Sequence, residues 1–153
     1  MANGAADIWR AELGDLEMLA PLFDGYRQFY DLPTDLALCR TFLRDRITRN
    51  ESVIFLAGQR GIEGCGFTQL FPTFSSLLAR PIWVLYDLFV SPSARSKGLG
   101  RRLMNRARDH AVETGAASIT LSTAKTNRIG QALYESLGYV RDQEFLSYEL
   151  FLP

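Results

Sequence analysis

The residues best suited to chemistry fall in one run, Ile82 to Leu103. Arg95, Lys97, Gly98 and Gly100 stand between an apolar stretch and the helical pattern Leu103, Met104, Ala107, Ala111. The first turn of a helix leaves backbone N–H groups without internal partners and carries the positive end of the helix dipole. Glycines lack the Cβ that would keep an anion away from that backbone. Arg95, Lys97, Arg101, Arg102, Arg106 and Arg108 add six cations with no acid among them. These features predict a phosphate-bearing ligand at the turn. The same residues would also serve as a solvated basic helix face beside an ordinary glycine turn. Two common phosphate loops do not fit. No Gly-x-x-x-x-Gly-Lys-Ser/Thr string occurs, and Gly-x-Gly-x-x-Gly fails because Arg101, Arg102 and Leu103 follow Gly100.

Asp87 is the only charge between Ile82 and Val90. A run this apolar is expected to be a strand buried on both faces inside a sheet, ended by Ser91, Pro92 and Ser93. A carboxylate there should have its pKa raised by desolvation, toward a value useful to a base. The third constellation is Thr123 to Tyr139. Leu133 and Leu137 share a core-facing stripe, while Asn127 and Tyr134 are seven apart and would share another face. Taken alone, Tyr134 reads as a half-buried aromatic with its hydroxyl at the surface.

Arg95-Ser96-Lys97-Gly98-Leu99-Gly100 resembles the acyl-CoA pyrophosphate loop of the GNAT superfamily of N-acyltransferases, especially its polyamine and histone acetyltransferase-like branch. Tyr86-Asp87-Leu88-Phe89-Val90 is similar to that superfamily's acceptor-site strand. Asn127 with Ala132-Leu133-Tyr134-Glu135-Ser136-Leu137-Gly138-Tyr139 resembles its second cofactor motif. The resemblance implies an N-acetyltransferase moving an acetyl group from acetyl-CoA to a primary amine, directly, in a ternary complex. It implies a cofactor surface of Leu88, Phe89, Val90, Arg95 to Arg101 (with Ser96, Lys97, Gly98, Leu99 and Gly100) and Asn127, the last against the pantetheine arm. A distortion of the strand around Leu88 to Val90 would expose a backbone donor for the tetrahedral oxyanion. Tyr134 would protonate the departing CoA thiolate. Asp87 would be the base, or hold the amine, or act through water; related enzymes carry a glutamate one position earlier, where this chain has Tyr86. Cys65 as an acyl carrier would need a neighbouring base, and the sequence near it offers none. The acceptor pocket would draw on Tyr26, Tyr30, Phe74 and Trp83. The rival reading is a non-catalytic acyl-CoA-binding sensor or interaction module.

Composition sets the outer bounds. A chain of 153 residues, 47% hydrophobic and 12% aromatic, is expected to be a single domain over residues 1–153 with a sizeable core. Lysine plus arginine (17) balances aspartate plus glutamate (17), which argues against nucleic acid. Glu12, Asp15, Glu17, Asp24, Asp31 and Asp35 face only Arg27 across residues 11–36, an excess that would suit a cationic acceptor such as a small amine or a lysine-bearing or N-terminal peptide. One histidine, His110, rules out a multi-histidine metal site, so no metal is expected. Cys39 and Cys65 are too few for a disulfide framework. Met1 to Asp7 has no basic-then-apolar leader pattern, and no apolar run approaches the roughly 20 residues of a membrane span. A cytoplasmic location is the expectation. So is a homodimer, with a terminal strand at Phe145 to Phe151 pairing across it, by analogy with the family.

The elements that must position these groups follow from periodicity. Ile8 to Ala11 predicts a strand, and Asp15 caps a helix whose stripe is Leu16, Leu19, Leu22, Phe23, Tyr26 and Tyr30. Thr34 caps a second helix carrying Leu38, Phe42, Leu43 and Ile47. Ser52 to Ala57 and Ile62 to Phe71 read as a hairpin, with Pro72 to Arg80 a loop. After the basic helix come a short strand at Ser118 to Ser122, a helix at Ile129 to Leu137, and strands at Tyr139-Val140 and Phe145 to Phe151. The fold class is α/β, with a mixed, mainly antiparallel sheet flanked by helices in the order β-α-α-β-β-β-α-β-α-β-β. That is also the order of the GNAT fold.

Overall fold

The computed structural model describes residues 5–153; residues 1–4, where the stretch read for a leader begins, lie outside the described residues. The chain divides into two compact units, one ending at Leu121 and the other Ser122–Pro153.

The first unit is built on a five-stranded sheet in the order β1-β2-β3-β4-β5. Its strands are β1 (Asp7–Arg10), β2 (Val53–Gln59), β3 (Glu63–Ser75), β4 (Arg80–Val90) and β5 (Ile119–Thr120). The first four pair antiparallel and β5 joins β4 in parallel. Helices α1 (Leu16–Phe29) and α2 (Leu36–Thr48) follow β1, and α3 (Leu99–Glu113) follows β4. Paired residues share a face and neighbours in a strand alternate. Leu56 and Phe67 are paired and lie in a core with Leu19, Leu22 and Phe23 of α1, whereas Phe55 packs on His110 of α3. Thus α1 and α3 cover opposite faces.

The strand buried on both faces is β2, where Val53 to Gly58 are all buried. β4, expected to be that strand, is only half-buried along most of its length. Its outer neighbour explains this. β5 meets β4 only at Trp83 and Val84, so among the described residues no strand pairs with residues 85–90 on that side.

The hairpin of β3 and β4 is longer than expected. Pro72 to Ser75 pair with Trp83 to Arg80, so the predicted loop shrinks to Ser76–Ala79. Capping also differs from the expectation. Asp35, not Thr34, caps α2, its carboxylate accepting from the Leu38 N–H at 2.9 Å. The Asp15 carboxylate turns back to the Glu12 N–H (2.9 Å) and the Trp9 indole N–H (3.2 Å), closing a capping box on the short 3-10 turn before α1.

The second unit contains α4 (Arg128–Ser136). Asn127 caps it, accepting from the Gly130 N–H at 3.1 Å while donating to the Thr123 hydroxyl at 3.0 Å. The strands expected at Tyr139-Val140 and Phe145 to Phe151 are not formed, and Val140, Phe145, Leu146, Tyr148, Leu150 and Phe151 are exposed. Strand-forming side chains need a partner edge to become a strand, and none is supplied to this segment.

Candidate active site

Asp87 reaches its position through a defect in β4. Gln69 of β3 pairs with Asp87, yet the next residue, Leu70, pairs with Leu85, so Tyr86 is one residue more than the ladder needs. Such a bulge takes peptide groups off the ladder and re-aims side chains. Three side chains hold it. The Thr68 hydroxyl donates to the Asp87 carbonyl at 2.8 Å, the Tyr26 phenol to the Tyr86 carbonyl at 3.2 Å, and the Gln69 amide to Asp87 Oδ2 at 2.5 Å. The sequence expectation placed the distortion at Leu88 to Val90; it lies at Tyr86.

The bulge also changes which peptide groups face outward. Before it, the Trp83 N–H donates to Ser118 beside β5, at 3.1 Å. After it, the Ser91 N–H, eight residues on, donates to Cys65 of β3 at 2.9 Å. An unbroken strand would send both to the same side. The inserted residue therefore turns the peptide groups of Leu88 and Val90 toward the edge that β5 leaves open. Backbone N–H groups on such a strand edge can donate to a ligand.

Asp87 is 3% exposed, and burial pushes its carboxyl up to about 6, against the opposing pull of hydrogen bonds from Gln69 and Tyr26. No charged side chain contributes to that shift. Tyr26, half-buried near the Asp87 carboxylate, has its phenol held protonated well above the usual range by burial and by that carboxylate. Its ring meets Tyr30 edge-on at 5.3 Å and Phe67 at 6.1 Å. Phe89 lies on the same face, against Phe67, and α1 makes room for it with Gly25, where a Cβ would come within 3.0 Å of the ring.

Beyond Val90 the chain turns through a 3-10 segment, Pro92–Ala94, and two left-handed residues, Ser96 and Gly98, before entering α3. Gly98 sits at the N-cap with φ 75° and offers no capping side chain. Its missing Cβ faces open space, with no atom within 4 Å. The first-turn N–H groups of α3 thus end in an accessible, positively polarised cradle. Leu99 is buried, so only its backbone is available there. Arg95 and Lys97 hold the turn to itself, with Arg95 Nε donating to the Val90 carbonyl (2.8 Å) and Lys97 Nζ to that of Ser93 (3.3 Å).

The structure thus brings Asp87, Tyr26, Tyr30 and Phe89 together on the α1 face, with Arg95 to Arg101 at the end of the same strand. It does not bring Trp83 or Phe74 there. Trp83 packs on His110 of α3, on the opposite face, with its indole donating to Thr114 at 2.9 Å. Phe74 is far out on the hairpin and 78% exposed. Tyr134 and Asn127 belong to the second unit, where Tyr134 is half-buried with its ring 6.2 Å from Tyr139. The acidic excess of residues 11–36 is largely committed elsewhere. Glu17 pairs with Arg40, Asp35 caps α2, and Asp24 accepts from Thr34, Gln28 and the Asp35 N–H. Sequence reasoning missed Thr68 and Gln69, although two polar residues inside Phe67-Thr68-Gln69-Leu70-Phe71 were a signal. Among the described residues no cluster of three or more His, Cys, Asp or Glu is placed to hold a metal.

Comparisons with known proteins identify the family and the fold. The family model described as Acetyltransferase (GNAT) family matches residues 16–139. The protein named Uncharacterized N-acetyltransferase YhfO of Bacillus subtilis is 46% identical over 147 residues, covering 96% of this chain and 98% of its own. A crystal structure of a probable acetyltransferase superposes with a TM-score of 0.89 at 40% identity, covering 96% of this chain and 98% of that one. The aminoglycoside N-acetyltransferase AAC(6')-Iy, solved in complex with CoA, shares the fold at 19% identity, with a TM-score of 0.80 and 98% coverage of both chains.

Proposed function

The chain belongs to the GNAT acetyltransferase family, and from that premise we propose that it transfers acetyl from acetyl-CoA to a primary amine by direct attack in a ternary complex, as one catalytic domain over residues 1–153. The observation that carries the reading is the uncapped, glycine-lined N-terminus of α3, set directly after a strand whose edge is open from residue 85 onward.

In this reading the α3 cradle takes the pyrophosphate of acetyl-CoA, and the outward peptide groups of Leu88 and Val90 take the arm and the thioester oxygen. An alkylammonium with a pKa of roughly 10 must lose a proton before it can attack. Asp87, raised to about 6 and buried beside Tyr26, accepts it. Nitrogen then attacks the thioester carbon, the oxyanion is held by β4 N–H groups, the attached nitrogen gives its second proton to water, and collapse expels the CoA thiolate and leaves the neutral amide. Tyr134 is assigned the proton that the thiolate takes up, on the strength of the family motif. The acceptor is a cationic amine, recognised by the Asp87 carboxylate and the Tyr26 and Tyr30 rings through charge and cation–π attraction. A homodimer and a cytoplasmic location belong to the same reading and rest on the family resemblance; light scattering in solution tests the first.

The deciding experiment is calorimetric titration with acetyl-CoA, followed by an amine panel read by thiol release. Binding with turnover of one amine class is the expected result. Binding without turnover on any amine would leave the acyl-CoA sensor instead, and no binding would overturn both. A Tyr134→Phe variant should bind acetyl-CoA normally but turn over at least about 100-fold more slowly.

A further inference from the structure

A chain of buried hydrogen bonds runs sideways from Asp87 through the sheet. Ser52 Oγ donates to Gln69 Oε1 at 2.8 Å, and Gln69 Nε2 donates to Asp87 Oδ2. Gln69 is fully buried, and Ser52, just before β2, is 6% exposed. A glutamine amide can present either its oxygen or its nitrogen to a neighbour, and the two choices have opposite effects on a carboxylate. Here the donor side faces Asp87, and the hydroxyl of Ser52 holds the acceptor side away from it.

We propose that Gln69, clamped by Ser52, is a positioning residue for Asp87, keeping Oδ2 as a hydrogen-bond acceptor so that Oδ1 receives the substrate's proton. The proposal rests on the reading of Asp87 as the base. A proton on Oδ2 would point at the Gln69 N–H unless the amide turned over, and turning would cost the bond from Ser52 inside a packed core. The proton lost by the ammonium therefore goes to Oδ1, leaving the nitrogen lone pair free to attack. The groups facing the carboxylate are few. From α1 come Tyr26, whose phenol donates to the Tyr86 carbonyl beside the carboxylate, and next to it Tyr30; from β3 comes Gln69; on β4 itself Tyr86 is adjacent. No lysine, arginine or histidine contributes to the titration of Asp87, so its ionisation is governed by burial and by these hydrogen bonds.

Two titrations on the intact protein test this, in the wild type and in Gln69→Leu, Ser52→Ala and Ser52→Thr. One follows the Asp87 carboxyl by carbon NMR, assigned with Asp87→Asn; the other is the pH profile of kcat/KM. Gln69→Leu should move the NMR midpoint up by roughly one pH unit, since it removes a donor to the charged form. Ser52→Ala should move it the same way by less, and Ser52→Thr should restore it. The rate profile should follow, with kcat falling and the KM for acetyl-CoA unchanged. Ser52 borders a pocket of about 190 Å³ lined also by Arg10, Asn50 and Ile54, and the Ser52 variants carry the test even if Gln69→Leu does not fold. An NMR midpoint that stays put in the folded variants overturns the proposal. A midpoint that moves while the rate profile does not would instead overturn Asp87 as the base, and the positioning role with it.

Discussion

Replacing Asp87 by asparagine should make the protein more stable and nearly inactive. Folding raises the Asp87 carboxyl from 3.8 to about 6, chiefly through burial. A raised carboxyl means that the folded state binds the proton more tightly than the unfolded chain does. Its contribution to stability is fully present below pH 3.8 and is lost as pH rises through about 6. At pH 8 the ionised carboxylate therefore costs the fold roughly 3 kcal/mol, at about 1.4 kcal/mol per unit. Asparagine removes that charge while its Oδ1 can still accept from Gln69. For a domain of this size roughly 2–4 °C accompanies each kcal/mol. Thermal melts followed by circular dichroism should then show the variant about 6–12 °C above the wild type at pH 8. The gap should close toward pH 4, where the wild-type carboxyl is protonated. Turnover should drop by about 100-fold or more. A variant melting at or below the wild type at pH 8 would refute the reasoning, because it would mean that burial imposes no net cost on the charge.

Other substitutions read other parts of the site and its frame. Gly98→Ala puts a Cβ at φ 75° in open space, so it should cost about 1–2 kcal/mol of conformational strain and weaken acetyl-CoA binding in calorimetry, whereas Gly98→Asn should keep most of the stability. Asp24→Ala leaves Thr34, Gln28 and the Asp35 N–H without their acceptor and should cost roughly 2–3 kcal/mol in a urea melt. His110 has its pKa lowered by burial first and then by Arg10 and Arg106. Stability linked to His110 is thus complete above pH 6.5 and is lost as pH falls toward the folded value, so His110→Phe should lose less stability on acidification than the wild type between pH 7 and 5.

The elements whose side chains fix their own conformation were legible in the sequence. The α1 stripe, the β2 and β3 hairpin and the strand–turn–helix around Arg95 follow from period, glycine and proline alone. Asp87 was legible as a buried carboxylate because nothing else in its strand is charged. What the sequence hid depends on partners. Trp83 looked like an acceptor-site aromatic, but its face is set by pairing with Pro72 and by α3, neither of which periodicity supplies. Asp24 and Asp35 read only as part of an acidic excess, and only their contacts reveal that Asp35 caps α2 and that Asp24, accepting from the Asp35 N–H, ties α1 to α2. Phe145 to Phe151 has strand-forming residues without the edge that would make it one. The resemblance implied a distortion at Leu88 to Val90, and its true place at Tyr86 was hidden for a similar reason, since one residue too many exists only relative to the neighbouring strand.

Tyr86 carries a lesson about how this chain can vary. Its ring is 66% exposed and touches Phe71 edge-on, so many side chains should be tolerated there. Its place in the count should not be. Deleting it would leave Leu85 opposite Leu70 and Asp87 opposite Gln69, mending the ladder. The same deletion would remove the carbonyl that accepts from Tyr26 and the local splay that the bulge gives the strand beside Asp87. Between Val84 and Val90 the length of the chain is therefore a tighter constraint than its spelling, and a library that samples insertions and deletions there will report on function where a library of substitutions reports mainly on surface.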